Sequence, residues 1–186
     1  MNIPNILTVL RILLAPLFMI LLLKEMPGYA LVVFTAAGIS DGLDGFIARY
    51  TNQRTVLGSY LDPLADKLLL ITAYVSLAVL HIIPSWLSVL VICRDVIILI
   101  GIAVFSITGV PVNIKPSIPS KFTTVSQLTT IFLSLLNTSF SFQPVLFQIL
   151  IWITAGLTIL SGLHYIFLGL GILQNGGKPN RQKNRS

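Results

Sequence analysis

Apolar residues run along the chain in six stretches, each ended by a short polar or proline-bearing segment. They cover about Asn5 to Leu23, Tyr29 to Arg49, Leu57 to Ile82, Pro84 to Thr108, Ser120 to Leu136 and Pro144 to Leu173. A helix crossing a hydrocarbon core needs about 20 mostly apolar residues, and the stretches approach or exceed that length. The breaks read "KEMPG", "YTNQRT", "HIIPS", "GVPVNIKPSIP" and "NTSFSFQP", all rich in turn-forming residues. The pattern predicts an all-α integral membrane protein of six transmembrane helices. The first stretch is expected to be a retained helix, because it follows a patterned segment containing Arg11 and no small-x-small cleavage site comes after it.

Charge orients these helices. Arg49 and Arg54 flank the second loop and Lys115 and Lys121 the fourth, while the third and fifth loops carry no Lys or Arg. By the positive-inside bias both termini face the cytoplasm; Lys24, offset by Glu25, is the one dissenting cation. Composition agrees with a membrane protein: 55% of residues are hydrophobic and 10% charged, and mean hydropathy is +0.91, outside the range of soluble domains. Residues 1–173 are read as one membrane domain and 174–186 as a basic cytoplasmic tail suited to anionic lipid, with a homodimer expected and no nucleic-acid partner. The single Cys93 can form no internal disulfide and is read as a packing residue, and His81 and His164 as structural.

Against this apolar background, four of the six acidic residues crowd into "SDGLDGFIARYTNQRTVLGSYLDPLADK": Asp41, Asp44, Asp62 and Asp66. Helices two and three are joined by a short polar loop, so they are antiparallel neighbours. A rise of 1.5 Å per residue puts Asp44 and Asp41 roughly 8 and 12 Å below one end of that loop, and Asp62 and Asp66 roughly 8 and 14 Å below the other. Spacings of three and four residues keep each pair on one helix face, so four carboxylates converge on one volume. Each ionised aspartate near mid-helix costs about 2.5 to 3.5 kcal/mol on insertion scales, more than Arg49 and Lys67 can neutralise. A pair of divalent metal ions would. Oxygen ligands without His or Cys suit Mg²⁺ or Mn²⁺, and paired metals serve phosphoryl chemistry. Gly45 and Ala48 leave room beside the carboxylates for a nucleotide, Arg49 can pair with a diphosphate, and Gly58 permits a close approach; small residues in membrane helices also mark close helix packing. An intramembrane aspartyl protease would need one proton-sharing pair and a strand-docking site. A cation transporter would carry polar groups through the outer half as well.

"DGLDGFIAR" followed after eight residues by "GSYLDPLAD" resembles the signature of the CDP-alcohol phosphatidyltransferases, Asp-x2-Asp-Gly-x2-Ala-Arg-x8-Gly-x3-Asp-x3-Asp. The likeness extends to the six-helix layout and the opening "NIPNILTVLR". It implies that Asp41, Asp44, Asp62 and Asp66 hold two divalent cations, that Asp66 is also the general base, and that Gly45, Ala48, Arg49 and Gly58 border the cytidine diphosphate of CDP-diacylglycerol. It implies attack of an alcohol on the β-phosphorus with release of CMP, at the cytoplasmic face of a membrane, expected to be a bacterial inner membrane.

For the acceptor, the opening resembles both the phosphatidylglycerophosphate synthases and the cardiolipin synthases of the same fold. Asn5, Thr8 and Arg11 share a helix face as candidate acceptor or phosphate residues, the alternative being a helix cap and a snorkelling arginine. In "CRDVIILIG", Arg94 either pairs with Asp95 or faces the cavity, and the cavity is favoured because a phosphate-bearing acceptor wants a guanidinium. In "PSKFTTVSQ", Lys121, Thr124 and Gln127 share a face, with Lys121 an acceptor anchor or a membrane-edge cation. Glycerol 3-phosphate is the expected acceptor. Phosphatidylglycerol is the alternative, because Arg-Asp and Ser-Lys-x-x-Thr depart from the Arg-Glu and Gly-x-Lys-x-Lys-Thr pattern of the phosphatidylglycerophosphate synthases.

Overall fold

The computed structural model describes the backbone of residues 3–51, 56–107, 118–140 and 143–174, and side chains over 8–41, 65–101, 103, 119–138 and 143–171. Among the described residues the chain forms six helices and no strand: α1 (Ile3–Leu23), α2 (Pro27–Thr51), α3 (Val56–Val79), α4 (Ser85–Ile107), α5 (Ile118–Phe140) and α6 (Pro144–Gln174). The segment Pro144–Gly171 is long and apolar enough to cross a membrane, and Thr8–Leu23 is a shorter apolar helix.

Packing places α1 against α2 and α3, α4 against α3 and α6, and α5 against α2, α3 and α6. The fully buried alanines Ala30, Ala37, Ala65 and Ala73 let α2 and α3 approach their neighbours closely. Phe18 of α1 meets Phe34 of α2 with ring centroids 6.0 Å apart, and Tyr74, Leu77, Leu87, Val91, Ile131 and Leu135 continue the core.

The distribution of polarity runs opposite to that of a water-soluble protein. Leu13, Val32, Val89, Trp152, Leu160 and Phe167 are exposed, while Arg11, Arg94, Asp95, Gln127, Thr154 and Ser161 are buried. Apolar exteriors cost nothing in lipid, where buried hydroxyls and amides link helices. The α5–α6 seam is built this way: the Ser126 and Thr130 hydroxyls lie 2.6 and 2.7 Å from Thr154 Oγ1. Across the other seams the Tyr74 hydroxyl donates to the Gln127 carbonyl at 3.2 Å and Ser88 to the Tyr74 carbonyl at 2.8 Å.

Two helices stop without glycine. After α1, Glu25 takes φ 56°, its N–H donates to the Leu22 carbonyl at 2.9 Å, and the Met26 N–H to the Leu21 carbonyl at 3.0 Å. After α3, His81 takes φ 58°, with His81 N–H donating to Ala78 and Ile82 N–H to Leu77. Both are helix-ending left-handed turns that capture orphan carbonyls. The stop at His81 ends α3 before the expected Ile82. A left-handed residue with a Cβ costs roughly 1–2 kcal/mol, and His81 is exposed. His81→Gly is therefore expected to stabilise the protein by about 1 kcal/mol, read as a higher unfolding midpoint in detergent; a lower midpoint would mean that the imidazole makes a contact of its own.

Candidate active site

The inward face of α1 follows the helical period. Thr8, Arg11, Ala15, Phe18 and Leu22 are buried, and the intervening Val9, Leu10, Leu13 and Leu17 are exposed. A guanidinium at 1% exposure needs counter-charges, because an uncompensated buried ion is strongly destabilising. Arg11 has them on two other helices: Nη1 lies 2.5 Å from Asp66 Oδ1 of α3, and Nη2 lies 3.2 Å from Asp41 Oδ1 of α2. The aspartates themselves are 53% and 40% exposed for Asp41 and Asp66 respectively. The cation is enclosed and the carboxylates reach the surface.

This arrangement joins the two aspartates that helical rise puts at similar depth. Ala30, Phe34 and Ala37 form the buried face of α2, and Asp41 follows one turn later. Asp44, Gly45, Ala48 and Arg49 continue on the backbone of α2, and Gly58 and Asp62 on that of α3. The side-chain surroundings of these six, and of Asn5, lie outside the described residues. Carboxylate oxygens brought together from two helices around one positive charge suit a hard divalent cation such as Mg²⁺ or Mn²⁺, and His81 and His164 are exposed elsewhere, in the α3–α4 turn and on α6.

Arg94 corrects an expectation. Its guanidinium is 4% exposed and pairs with Asp95: Nη1 lies 2.6 Å from Asp95 Oδ1. Nη2 donates to Ser120 Oγ of α5 at 2.7 Å and to Ser161 Oγ of α6 at 2.9 Å, and the group sits 5.9 Å from the centroid of the Tyr165 ring. The cavity-facing orientation favoured above gives way to pairing because a membrane interior penalises an arginine whose several donors lack fixed acceptors. Lys67, a cation next to the four aspartates in sequence, turns to a different carboxylate. It follows Asp66 by about 100° around α3, which turns it toward α4, where Nζ lies 2.6 Å from Asp95 Oδ2. Asp95 thus carries two cations and ties α3 to α4, α5 and α6. Ser120 and Ser161 escaped the sequence reading; the available signal was that a buried guanidinium requires hydroxyls or carbonyls at its own depth.

The face shared by Lys121, Thr124 and Gln127 is split. Lys121 is exposed, Thr124 half-buried and Gln127 wholly buried against α3 and α6. Beside α5 runs an apolar groove of about 390 Å³, lined by Phe34, Gly38 and Ile39 of α2, Leu69 of α3, and Leu128 and Phe132 of α5, among others. Gly38 and Leu69 each stand three residues from an aspartate of the pair, Asp41 and Asp66. An apolar surface channel therefore lies within a helical turn of the carboxylates.

Comparison with known proteins places these features. Residues 1–160 match the family model described as CDP-alcohol phosphatidyltransferase. The chain is 36% identical to the Homo sapiens protein named cardiolipin synthase (CMP-forming), over 93% of this chain and 63% of that protein. It is 33% identical to the Haemophilus influenzae CDP-diacylglycerol--glycerol-3-phosphate 3-phosphatidyltransferase, over 92% of this chain and 95% of that one. Identity to the Streptomyces coelicolor cardiolipin synthase (CMP-forming) is 37%, over 60% of this chain and 54% of the relative. The chain thus spans between half and two thirds of the cardiolipin synthases it matches here, and nearly all of the Haemophilus protein. On the match of its first 160 residues and on these identities, the chain belongs to the CDP-alcohol phosphatidyltransferase family.

Proposed function

We propose that the chain transfers the phosphatidyl group of CDP-diacylglycerol to glycerol 3-phosphate and releases CMP, in a reaction that requires Mg²⁺ or Mn²⁺. The observation that carries this reading is the meeting of Asp41 and Asp66, from separate helices, on one enclosed cation while both carboxylates stay open to the surface. Asp41, Asp44, Asp62 and Asp66 would hold two metal ions, which when bound supply positive charge to the attacking and leaving oxygens. The chain's own residues do the rest. Asp66 takes the proton of the acceptor hydroxyl as that oxygen bonds to the β-phosphorus, and the bond from the β-phosphorus to the oxygen of CMP breaks. Gly45, Ala48 and Gly58 leave space for the cytidine diphosphate, and Arg49 pairs with it. Thr8 lies buried one turn from Arg11 on the same face, and the exposed Lys121 offers a cation to an anionic acceptor.

The groove between α2 and α5 suits an acyl chain, which explains why the donor would enter from the bilayer. A Cβ added at Gly38 meets no atom within 4 Å, so Gly38→Phe fits the backbone and fills the groove. It is expected to raise the KM for CDP-diacylglycerol roughly tenfold with a smaller change in kcat; unchanged donor kinetics would place the acyl chains elsewhere.

Phosphatidylglycerol is the second reading of the acceptor. Its support is the 36–37% identity to proteins named cardiolipin synthase and the Arg-Asp and Ser-Lys-x-x-Thr segments. Incubating the purified protein with CDP-diacylglycerol and each alcohol separately decides: phosphatidylglycerophosphate supports the first reading, cardiolipin the second, and no lipid product from either overturns both.

The six helices would each span the membrane, with the termini and the loop around Arg54 in the cytoplasm of a bacterial cell, where the cytidine nucleotide donor is made. Cysteine labelling from outside is expected to modify a probe in "HIIPS" and spare one at Asn52. The reverse pattern would put the aspartates on the wrong side.

A further inference from the structure

We infer that Arg11 is a resident counter-ion of the aspartate centre that competes with the divalent cations for Asp41 and Asp66, so that metal loading requires the guanidinium to release at least one of them. The inference rests on the metal-dependent reading above. Its basis is geometric. Both terminal nitrogens are committed, Nη1 to Asp66 Oδ1 at 2.5 Å and Nη2 to Asp41 Oδ1 at 3.2 Å. Each contact takes Oδ1 of its carboxylate, and a metal ion held on either aspartate would lie within a few ångströms of the enclosed guanidinium, where two cations repel. Arg11 cannot step aside into water either, being 1% exposed and carried on the packed inward face of α1 between Thr8 and Ala15.

Two consequences follow for the assembly. Without metal, the arginine neutralises part of the carboxylate charge and pins α1, α2 and α3 together, so the centre is formed before the ions arrive. With metal, the longer contact to Asp41 is the weaker and gives way first. Arg11 is on this account a positioning residue that sets metal affinity, which differs from both the acceptor or phosphate candidate and the snorkelling arginine of the sequence analysis.

Binding of Mn²⁺ to the detergent-purified full chain tests this directly, with unbound Mn²⁺ measured by its spin-resonance signal, and unfolding midpoints recorded in chelator and in Mn²⁺. Arg11→Gln is expected to bind Mn²⁺ about tenfold more tightly than the unmodified chain, and Arg11→Lys about threefold more tightly, because lysine keeps the charge but cannot bridge two carboxylates. Both variants are expected to unfold earlier in chelator and to regain most of the loss on adding Mn²⁺. Weaker Mn²⁺ binding in either variant would make Arg11 a mere support of the site and overturn the inference. Equal binding by Arg11→Lys and the unmodified chain would overturn it too, since net charge alone then accounts for the effect. Should Arg11→Gln fail to fold, the lysine variant decides. Absence of Mn²⁺ binding by the unmodified chain is a separate result, seen before any variant is made; it removes the metal reading and this inference with it.

Discussion

Asp66→Asn is expected to reduce CMP release by about three orders of magnitude, the middle of the range for loss of a general base. The substitution is nearly isosteric, so packing around α3 is kept while the negative charge and the proton-accepting oxygen are lost. Asp66 also approaches Arg11 more closely than Asp41 does, at 2.5 Å against 3.2 Å. Asp41→Asn is expected to fall by a smaller factor, because it would lose a metal ligand and retain the base. Activity of Asp66→Asn within tenfold of the unmodified chain, in protein shown to be folded, would remove Asp66 from the chemistry.

The second large effect concerns stability. Asp95 is 1% exposed and holds Arg94 at 2.6 Å and Lys67 at 2.6 Å. Asp95→Ala strands the buried Arg94, and breaking one side of a buried pair costs about 3–5 kcal/mol. Lys67 is 24% exposed and can turn its ammonium toward water, so it contributes less. The double replacement Arg94→Leu with Asp95→Ala is expected to cost less than Asp95→Ala alone, since removing both charges leaves nothing to strand. Unfolding midpoints of the two single variants and the double variant form the cycle that measures this. If Arg94→Ala left stability intact and raised only the KM for the acceptor, the guanidinium would belong to the substrate pocket after all.

Much of the fold was legible because an apolar surrounding imposes a simple rule: backbone groups must be satisfied within each segment, so long apolar stretches become helices. All six ends of α1, α2 and α6 fall within two residues of the reading. The two visible departures have local causes. α3 stops early because His81 adopts a left-handed turn, which period alone does not reveal. α5 continues past Leu136 to Phe140 because Asn137 and Thr138, polar enough to read as loop, are accommodated in the helix, where the Thr138 hydroxyl donates to the Leu135 carbonyl at 2.6 Å.

The approach of Asp41 to Asp66 was legible for the same physical reason, that charge in an apolar chain must have a use. The partners of individual cations were not. Arg11 and Arg94 could each be assigned to phosphate, aspartate or cavity by depth, and Lys67 lay near the aspartates, but the choice depends on rotation about the helix axis at a resolution of one residue. One step along α3 separates Asp66, which faces Arg11, from Lys67, which faces Asp95. Sequence spacing fixes which residues share a face, and only the packed arrangement fixes which neighbour that face meets.

The central claim is transfer of a phosphatidyl group by attack at the β-phosphorus, and one measurement tests it most directly. CDP-diacylglycerol carrying labelled phosphorus in the β position is incubated with the purified chain, Mn²⁺ and a mixture of glycerol 3-phosphate and phosphatidylglycerol, and the label is followed. The account predicts that all transferred label appears in a lipid product while unlabelled CMP is released in equal amount. Label leaving with the nucleotide as CDP, or no release of CMP with both acceptors present, would contradict it.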